Sequence, residues 1–347
     1  MAGALRWGIL GTGAIACKFA LGLLDSTTGR LAAVASRSRE SVDKFGGEKL
    51  RHLGFTRYDL YEHCLADDSV DAIYIATPHP SHAQWAIAAA NAGKHVLCEK
   101  PLAMNHRQAE QIVEAAQNNH VFLMEAFMYR CHPLVAELIR LLRCGSIGQV
   151  RMIHASFGFH CNVDSHHRLI NHSLGGGGIL DVGCYPVSLA RMVAGIADGR
   201  DFLDPTDVWG AGVIGGESRV DETASALLAF SNGISASISA AVRCELQNAV
   251  HIFGSEGRIE IPWMWVPRQS GNRIIIHKPQ AEQVVVSVDA TADVYTLEAD
   301  TAATAIANGQ QEPSAPAMSW ADSMGNMRTL DRWRQAIGLT YSFADEN

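Results

Sequence analysis

The sequence predicts two domains: residues 1–125 as an α/β domain on a doubly wound parallel sheet, and residues 126–347 as an α+β domain with a large, mainly antiparallel sheet. Three observations carry this reading. At 347 residues the chain exceeds what one hydrophobic core usually organises. Its first 125 residues alternate short apolar runs with helix-periodic segments, the pattern of strand–helix–strand units. Beyond the turn at Gly145–Gly148 the texture changes to longer alternating segments separated by turn residues, the pattern of antiparallel strands.

The elements follow in order. Arg6–Leu10 reads as the first strand, and the helix after it presents Ile15, Phe19 and Leu23 on one face. Apolar runs at Leu31–Ala35, Ala72–Ala76, His95–Cys98 and Val121–Glu125 read as further strands, with helix-like segments at Tyr58–Ala66, Ser81–Ala92 and Asn105–Asn118 between them. A helical stretch over Pro133–Arg143 precedes the change of texture. Alternating strands are expected at Gln149–Phe159, Asp207–Ile214, Thr223–Phe230, Ile234–Arg243, Ala249–Gly254, Arg258–Ile261, Arg273–His277 and Val284–Val288, with Ser231-Asn232-Gly233 as one connecting turn. Two terminal helices, Tyr295–Asn308 and Trp320–Ile337, flank the proline-containing segment Glu312–Pro316.

Composition narrows the function classes. Hydrophobic residues make up 48% and charged residues 18%, values of a globular enzyme rather than a disordered or fibrous chain. The net charge of -8 is spread without long single-sign runs, so neither nucleic acid nor a membrane surface is an expected partner. The 8 cysteines are never closer than 13 residues, which excludes a CxxC motif and reads as reduced, mostly buried thiols. A strand and glycine loop fill Met1–Gly13, leaving no room for a secretory signal, and no apolar run reads as membrane-spanning; cytoplasmic residence is the expectation.

The segment Gly11-Thr12-Gly13-Ala14-Ile15-Ala16 lies between the first strand and first helix, matching the G-x-G-x-x-G/A pattern in its meaningful context. Gly11 permits the tight turn, Gly13 lets a pyrophosphate approach the backbone, and Ala16 permits close helix packing, while the helix N-terminal amides of Ala14 and Ile15 face the anion. A dinucleotide cofactor is therefore expected. The second strand ends Ala35-Ser36-Arg37-Ser38-Arg39 with no acidic side chain for the ribose hydroxyls. Ser36 can bond a 2′-phosphate and Arg37 can pair with it, which favours NADP over NAD.

Three more segments extend the pattern: Ala76-Thr77-Pro78-His79-Pro80-Ser81-His82, the run Ala92 to Pro101 ending Glu99-Lys100-Pro101, and Gly175-Gly176-Gly177-Gly178-Ile179-Leu180-Asp181-Val182-Gly183-Cys184-Tyr185. In this order and spacing the chain resembles the Gfo/Idh/MocA family along essentially its whole length. That resemblance implies an N-terminal Rossmann domain, a C-terminal open, mainly antiparallel sheet, and substrate held over the nicotinamide. It also implies cofactor contacts from Thr77, Pro78, His79, His82, Glu99 and Lys100, and a homodimer or higher homo-oligomer. Lys100 matches the family's catalytic-site lysine, and the resemblance suggests a cis bond to Pro101. Tyr185 stands where many members carry a histidine, as in the branch of dimeric dihydrodiol dehydrogenase, xylose dehydrogenase and glucose-fructose oxidoreductase.

These residue types suit alcohol oxidation, which removes a hydride from carbon and a proton from oxygen. An unperturbed tyrosine titrates at about 10, too high for a base near neutrality, but a nearby ammonium favours the phenolate. Lys100 and Tyr185 thus read as an acid/base pair. Asp181, four residues before Tyr185, shares its face if the stretch is helical and can bind a substrate hydroxyl. The expected substrate is a sugar, polyol or trans-dihydrodiol.

The stretch His160–His172 is rich in potential metal ligands, but its spacing matches no standard zinc site, and no metal is expected. Two readings stand for it: a polar loop in which Phe159, His166, His167 and Arg168 meet substrate, or a solvated loop. Trp263 and Trp265 read either as an apolar wall for substrate or as core or interface packing. Two other functions compete with the dehydrogenase: glycoside cleavage with a retained nicotinamide, and sensing of nicotinamide or sugar without turnover.

Overall fold

The computed structural model describes residues 3–51 and 53–341. Two compact units result from its packing. The first holds the chain up to Ala103, Arg107–Cys131 and Thr291–Ser323; the second holds Met104–His106, His132–Ala290 and the chain from Met324.

The first unit is built on six strands, β1 (Leu5–Leu10), β2 (Gly29–Ala35), β3 (Thr56–Tyr58), β4 (Ala72–Ile75), β5 (His95–Glu99) and β6 (Leu123–Ala126). They lie in the order β3-β2-β1-β4-β5-β6, and every pair is parallel. This is the doubly wound order, in which the chain reverses direction across the sheet between β1 and β4. The connections are α1 (Ala14–Gly22), α2 (Arg39–Asp43), α3 (Gly47–Arg51), α4 (Tyr61–Leu65), α5 (His82–Asn91) and α6 (His106–Asn118). A parallel sheet covered on both faces needs continuous apolar strands, and all of Ala72–Ile75 is buried. Trp7, Phe19 and Tyr74 centre the core, with Phe19 stacked on Tyr74 at 3.8 Å.

The second unit begins with α7 (Pro133–Arg143) and β7 (Val150–Gly158). A single π turn, Ile179–Gly183, leads into α8 (Cys184–Ala197), followed by β8 (Asp207–Ile214), β9 (Asp221–Ala229), β10 (Ser235–Ala241), β11 (Val250–Gly254), β12 (Arg258–Ile261), β13 (Asn272–His277) and β14 (Val284–Val288). The eight strands run β14-β13-β12-β11-β7-β10-β9-β8. All neighbours are antiparallel except β7 and β10. Strict alternation gives the sheet two faces: Ala224, Ala226 and Leu228 of β9 are buried, while Ser225 and Leu227 between them are exposed.

Two expectations are corrected. The helical stretch His172–Ala197, with mean hydropathy 1.4, is long and apolar enough to cross a membrane by length and composition, although the sequence showed no such run; its apolar window is entirely buried inside the structure, as a core helix would be. The boundary between units is also not the single break after residue 125. The helix α9 (Val294–Ala307) returns to the first unit, where Ala299, Ala302 and Ala305 join its core and Thr296 Oγ1 donates to the Gly22 carbonyl at 2.8 Å. Gly22 has no room for a side chain, since a Cβ there would lie 2.9 Å from the Thr296 nitrogen. A buried ion pair of 2.9 Å between Arg130 and Asp322 fixes the end of this return, before the chain re-enters the second unit within the last helix, α10 (Trp320–Ala336).

Candidate functional site

In the first unit, the residues singled out in the sequence gather at the carboxyl ends of the parallel strands, on both sides of the β1/β4 reversal. The glycine loop follows β1, Ser36 and Arg37 follow β2, Thr77 to His79 follow β4, and Glu99 and Lys100 end β5. In open α/β sheets this is where ligands bind.

Gly11 adopts φ +108 and leaves no space for a Cβ, which would come within 2.5 Å of the Ala76 carbonyl oxygen. Gly13 is different. It caps α1 at φ -71, a conformation open to any residue, and nothing lies within 4 Å of the position its Cβ would occupy. The chain itself gives no reason for glycine there, so the open space over Gly13 fits a molecule that must approach the backbone. No side chain caps α1 and no acidic residue occupies its first turn, so the amides at Ala14 and Ile15 present an uncompensated positive helix end. Nearby, Thr77 Oγ1 is buried without a hydrogen-bond partner among the described residues. Both features fit a bound dinucleotide.

Ser36 is buried at the end of β2, and its hydroxyl accepts from Thr12 Oγ1 at 3.3 Å. Arg37 lies beside Tyr61, whose phenol is pushed up by burial and pulled back by the guanidinium. Arg39 is committed to Asp43 at 3.2 Å, which makes Arg37 the arginine beside Ser36 suited to a 2′-phosphate.

Glu99 is held rather than offered: one carboxylate oxygen accepts from the Tyr74 hydroxyl and the other from the Lys100 backbone amide at 3.3 Å. The Lys100–Pro101 bond is cis. His82 departs from the expectation of a direct cofactor contact. It is fully buried, with Nδ1 2.8 Å from the Pro101 carbonyl and Nε2 2.9 Å from the Thr77 carbonyl, so both ring nitrogens are taken up in tying the Thr77 and Pro101 segments together. His79, also buried, packs edge-on against that ring at 5.7 Å. Pro78 precedes it in extended conformation and starts the single turn His79–Ser81.

In the second unit the π turn and α8 carry Asp181 and Tyr185, both buried. Asp181 Oδ1 accepts from Arg168 Nη1 at 2.9 Å, and Arg168 is half exposed, so the loop arginine and the helix carboxylate form one polar element. The Tyr185 ring is fixed edge-on by Phe157 at 5.2 Å and Trp265 at 6.1 Å, and those two rings stack on each other at 5.7 Å. Trp265 is itself anchored, its Nε1 donating to the Ser156 carbonyl at 2.7 Å. The exposed Trp263 instead donates to the Val266 carbonyl and lies under Arg268.

Phe157, which the sequence reading did not single out, is thus an aromatic neighbour of Tyr185. Phe159 lies just past the end of β7, its amide donating to the Ala241 carbonyl. The alternation Ile153, Ala155, Phe157 along β7 was the available signal. His166 and His167 are exposed and organise their own loop: the His166 amide donates to Asp164, and His167 Nδ1 accepts from the Leu169 amide. Among the described residues no group of three or more His, Cys, Asp or Glu is arranged to hold a metal ion.

Comparison with known proteins matches two family models in succession along the chain. The family model "Oxidoreductase family, NAD-binding Rossmann fold" matches residues 5–127, and "GFO/IDH/MocA C-terminal domain" matches residues 135–260. The chain is 34% identical to a trans-1,2-dihydrobenzene-1,2-diol dehydrogenase of Xenopus laevis, over 97% of this chain and 99% of that protein. It is 32% identical to a D-xylose 1-dehydrogenase (NADP(+)) of Haloferax volcanii, over 94% and 95% of the two chains. Among solved structures, a 3-ketoreductase of Actinomadura kijaniata with NADP and TDP-benzene superposes with a TM-score of 0.85 at 27% identity, covering 96% of this chain and 98% of that one. Other solved forms of that ketoreductase carry a tyrosine-to-phenylalanine change or a replaced lysine.

Proposed function

The chain belongs to the Gfo/Idh/MocA oxidoreductase family, and from that premise we propose that it transfers a hydride between NADP and a CH–OH group of a sugar, polyol or trans-dihydrodiol, with Tyr185 exchanging the proton. It is an NAD(P)-dependent oxidoreductase acting on CH–OH donors. The observation that carries the finer reading is the placement of Tyr185: a phenol held edge-on against the stacked Phe157 and Trp265, on the helix whose preceding turn offers Asp181 paired with Arg168.

The nicotinamide cofactor, when bound, supplies the hydride acceptor or donor. This chain's residues do the rest. Gly11, Gly13 and the amides of Ala14 and Ile15 would receive the pyrophosphate, Ser36 and Arg37 would hold the 2′-phosphate, and the buried Thr77 Oγ1 would be free to bond the cofactor. Asp181 and Arg168 orient substrate hydroxyls. Tyr185 takes the hydroxyl proton, and the Lys100 ammonium favours the phenolate form that can do so near neutral pH.

A second copy of the chain is the proposed partner. Met152, Trp209, Leu227 and Val285 lie on the solvent face of the second sheet and are exposed, giving an apolar surface of the kind that homodimers cover. Light scattering reads this directly: a dimer mass supports it, and a stable monomer at micromolar concentration contradicts it.

The substrate reading is tested by following reduced-nicotinamide absorbance across aldoses, polyols, inositols and dihydrodiols with both cofactors. Net reduction that is faster with NADP is the expected result. Cofactor binding without net turnover on any of them would favour a retained-cofactor hydrolase or a sensor instead.

A further inference from the structure

The helix that carries Asp181 and Tyr185 starts in four consecutive glycines, and its first turn is held by a residue far along the chain. Asp221, the first residue of β9, has no exposed surface, and its Oδ2 accepts the Ile179 amide at 2.6 Å. Its Oδ1 has no hydrogen-bond partner among the described residues and lies against Gly177, where a Cβ would come within 2.1 Å of it. The glycine run is confined elsewhere too. The Tyr341 hydroxyl donates to the Gly176 carbonyl, and a Cβ on Gly178 would meet the backbone of Ala240 and Ala241 at 3.2 Å.

A helix start can be capped by an exposed serine, threonine or asparagine without burying a charge. Here the N-cap, Gly178, offers no side chain, and a carboxylate enclosed in the interior takes its place. Burial pushes the Asp221 carboxyl up to about 7, against the pull of the Ile179 and Gly178 amides and of Arg334. The charged or titratable groups facing it are Arg334 of α10 and Tyr341. A buried carboxylate is an expensive way to stabilise a helix, so its geometry calls for a reason.

The π turn supplies one. An α-helix advances about 100° per residue, so a turn that closes over one extra residue rotates everything after it by that amount. Relaxation of Ile179–Gly183 to α geometry would swing Tyr185 away from Phe157 and Trp265. We propose that Asp221 is a positioning residue: by holding the Ile179 amide against the confined glycine run it keeps the π turn, and so sets where the Asp181 carboxylate and the Tyr185 hydroxyl stand. This rests on the reading of those two residues as the substrate-side site.

Two measurements on the full-length protein test it. With isoleucine labelled by nitrogen-15, the Ile179 amide proton moves downfield with a midpoint near pH 7 as Asp221 ionises in the wild type, and does not titrate in the isosteric Asp221→Asn. In kinetics, Asp221→Asn lowers kcat by roughly tenfold or more and raises the substrate KM, leaves the cofactor Kd within about twofold, and loses the wild-type inflection in rate near neutral pH. An Ile179 amide that is flat between pH 6 and 8, or a folded Asp221→Asn with wild-type kcat and pH profile, overturns the proposal. A wild type that turns over no CH–OH substrate strikes the functional reading instead, and the Ile179 titration still decides whether Asp221 holds the helix.

Discussion

Two glycine-rich segments lead into helices in this chain, one after β1 and one before α8, and an added methyl group would meet opposite surroundings at Gly13 of the first and at Gly176 and Gly177 of the second. At Gly13 it would meet nothing within 4 Å; at Gly177 it would run into Asp221, and at Gly176 into the carbonyls of Arg168 and Leu169. Gly177 also sits at φ +110, while Gly13 sits at an ordinary φ of -71. The first segment keeps glycine at Gly13 with space open to a molecule outside the chain, and at Gly11 because the Ala76 carbonyl oxygen leaves no room for a Cβ. The second keeps it for the chain's own atoms, because a side-chain-bearing helix must start in a confined place. Glycine content alone cannot separate the two; the space around each Cβ can.

That contrast is broken or sharpened by substitution. The largest effect is expected for Gly13→Val, which fills the open space: affinity for reduced cofactor, followed by fluorescence, falls by roughly 10²-fold or more, while stability drops by no more than about 1 kcal/mol for the poorer cap. Gly177→Ala should do the reverse, losing on the order of 2–4 kcal/mol in denaturant melts through backbone strain and the clash with Asp221, with cofactor affinity kept. If both variants lost binding and stability alike, the distinction would fail.

Glu298 sharpens the comparison, because its carboxyl, like Thr77 Oγ1, is buried without a hydrogen-bond partner among the described residues. Burial and, after it, the nearby Glu99 raise its carboxyl well above the usual value. The native state then holds this proton after the unfolded chain has released it, near about 4.3, and stability falls as pH rises from there towards the folded value, by up to about 1.4 kcal/mol per pH unit. Glu298→Gln removes that dependence. Its melting temperature relative to wild type should climb between pH 5 and 8, with cofactor affinity unchanged; a pH-independent difference would show that Glu298 is ionised. The smallest effect belongs to Arg37→Ala, which should lower kcat/KM with NADP by about tenfold and leave NAD nearly untouched. An equal loss for both cofactors would remove Arg37 from the phosphate site.

Much of the fold was legible because periodicity survives in single strands. The boundaries of β8, β12 and β14 fall where alternation placed them, and β1, β4 and β5 differ by one residue at one end. The strand β3, with three residues at the sheet edge, carries too few positions to show a period. The alanine-rich α9 showed itself as a helix, but nothing in its local pattern says which core it joins; that follows from Gly22 and Thr296, which lie 274 residues apart. The candidate site residues named from short motifs, Gly11, Gly13, Ser36, Lys100, Asp181 and Tyr185, are local in sequence, so each could be singled out without the fold. The remaining parts of the candidate site depend on distant strands: Phe157 is next to Tyr185 through β7, and Asp221 is next to Ile179 through β9. His82 entered the expected cofactor contacts through the family resemblance, whereas the two carbonyls that occupy its ring nitrogens are visible only in the fold.

The claim that the confined glycine run serves to hold Tyr185 as the proton-exchanging group is tested most directly by Tyr185→Phe. The variant keeps the ring edge-on against Phe157 and Trp265 and deletes only the hydroxyl oxygen. With cofactor and substrate saturating, kcat is expected to fall by roughly 10²-fold or more, with cofactor Kd unchanged within about twofold and the thermal melt preserved. A folded Tyr185→Phe with near-normal kcat would contradict the account and pass the role of base to another group.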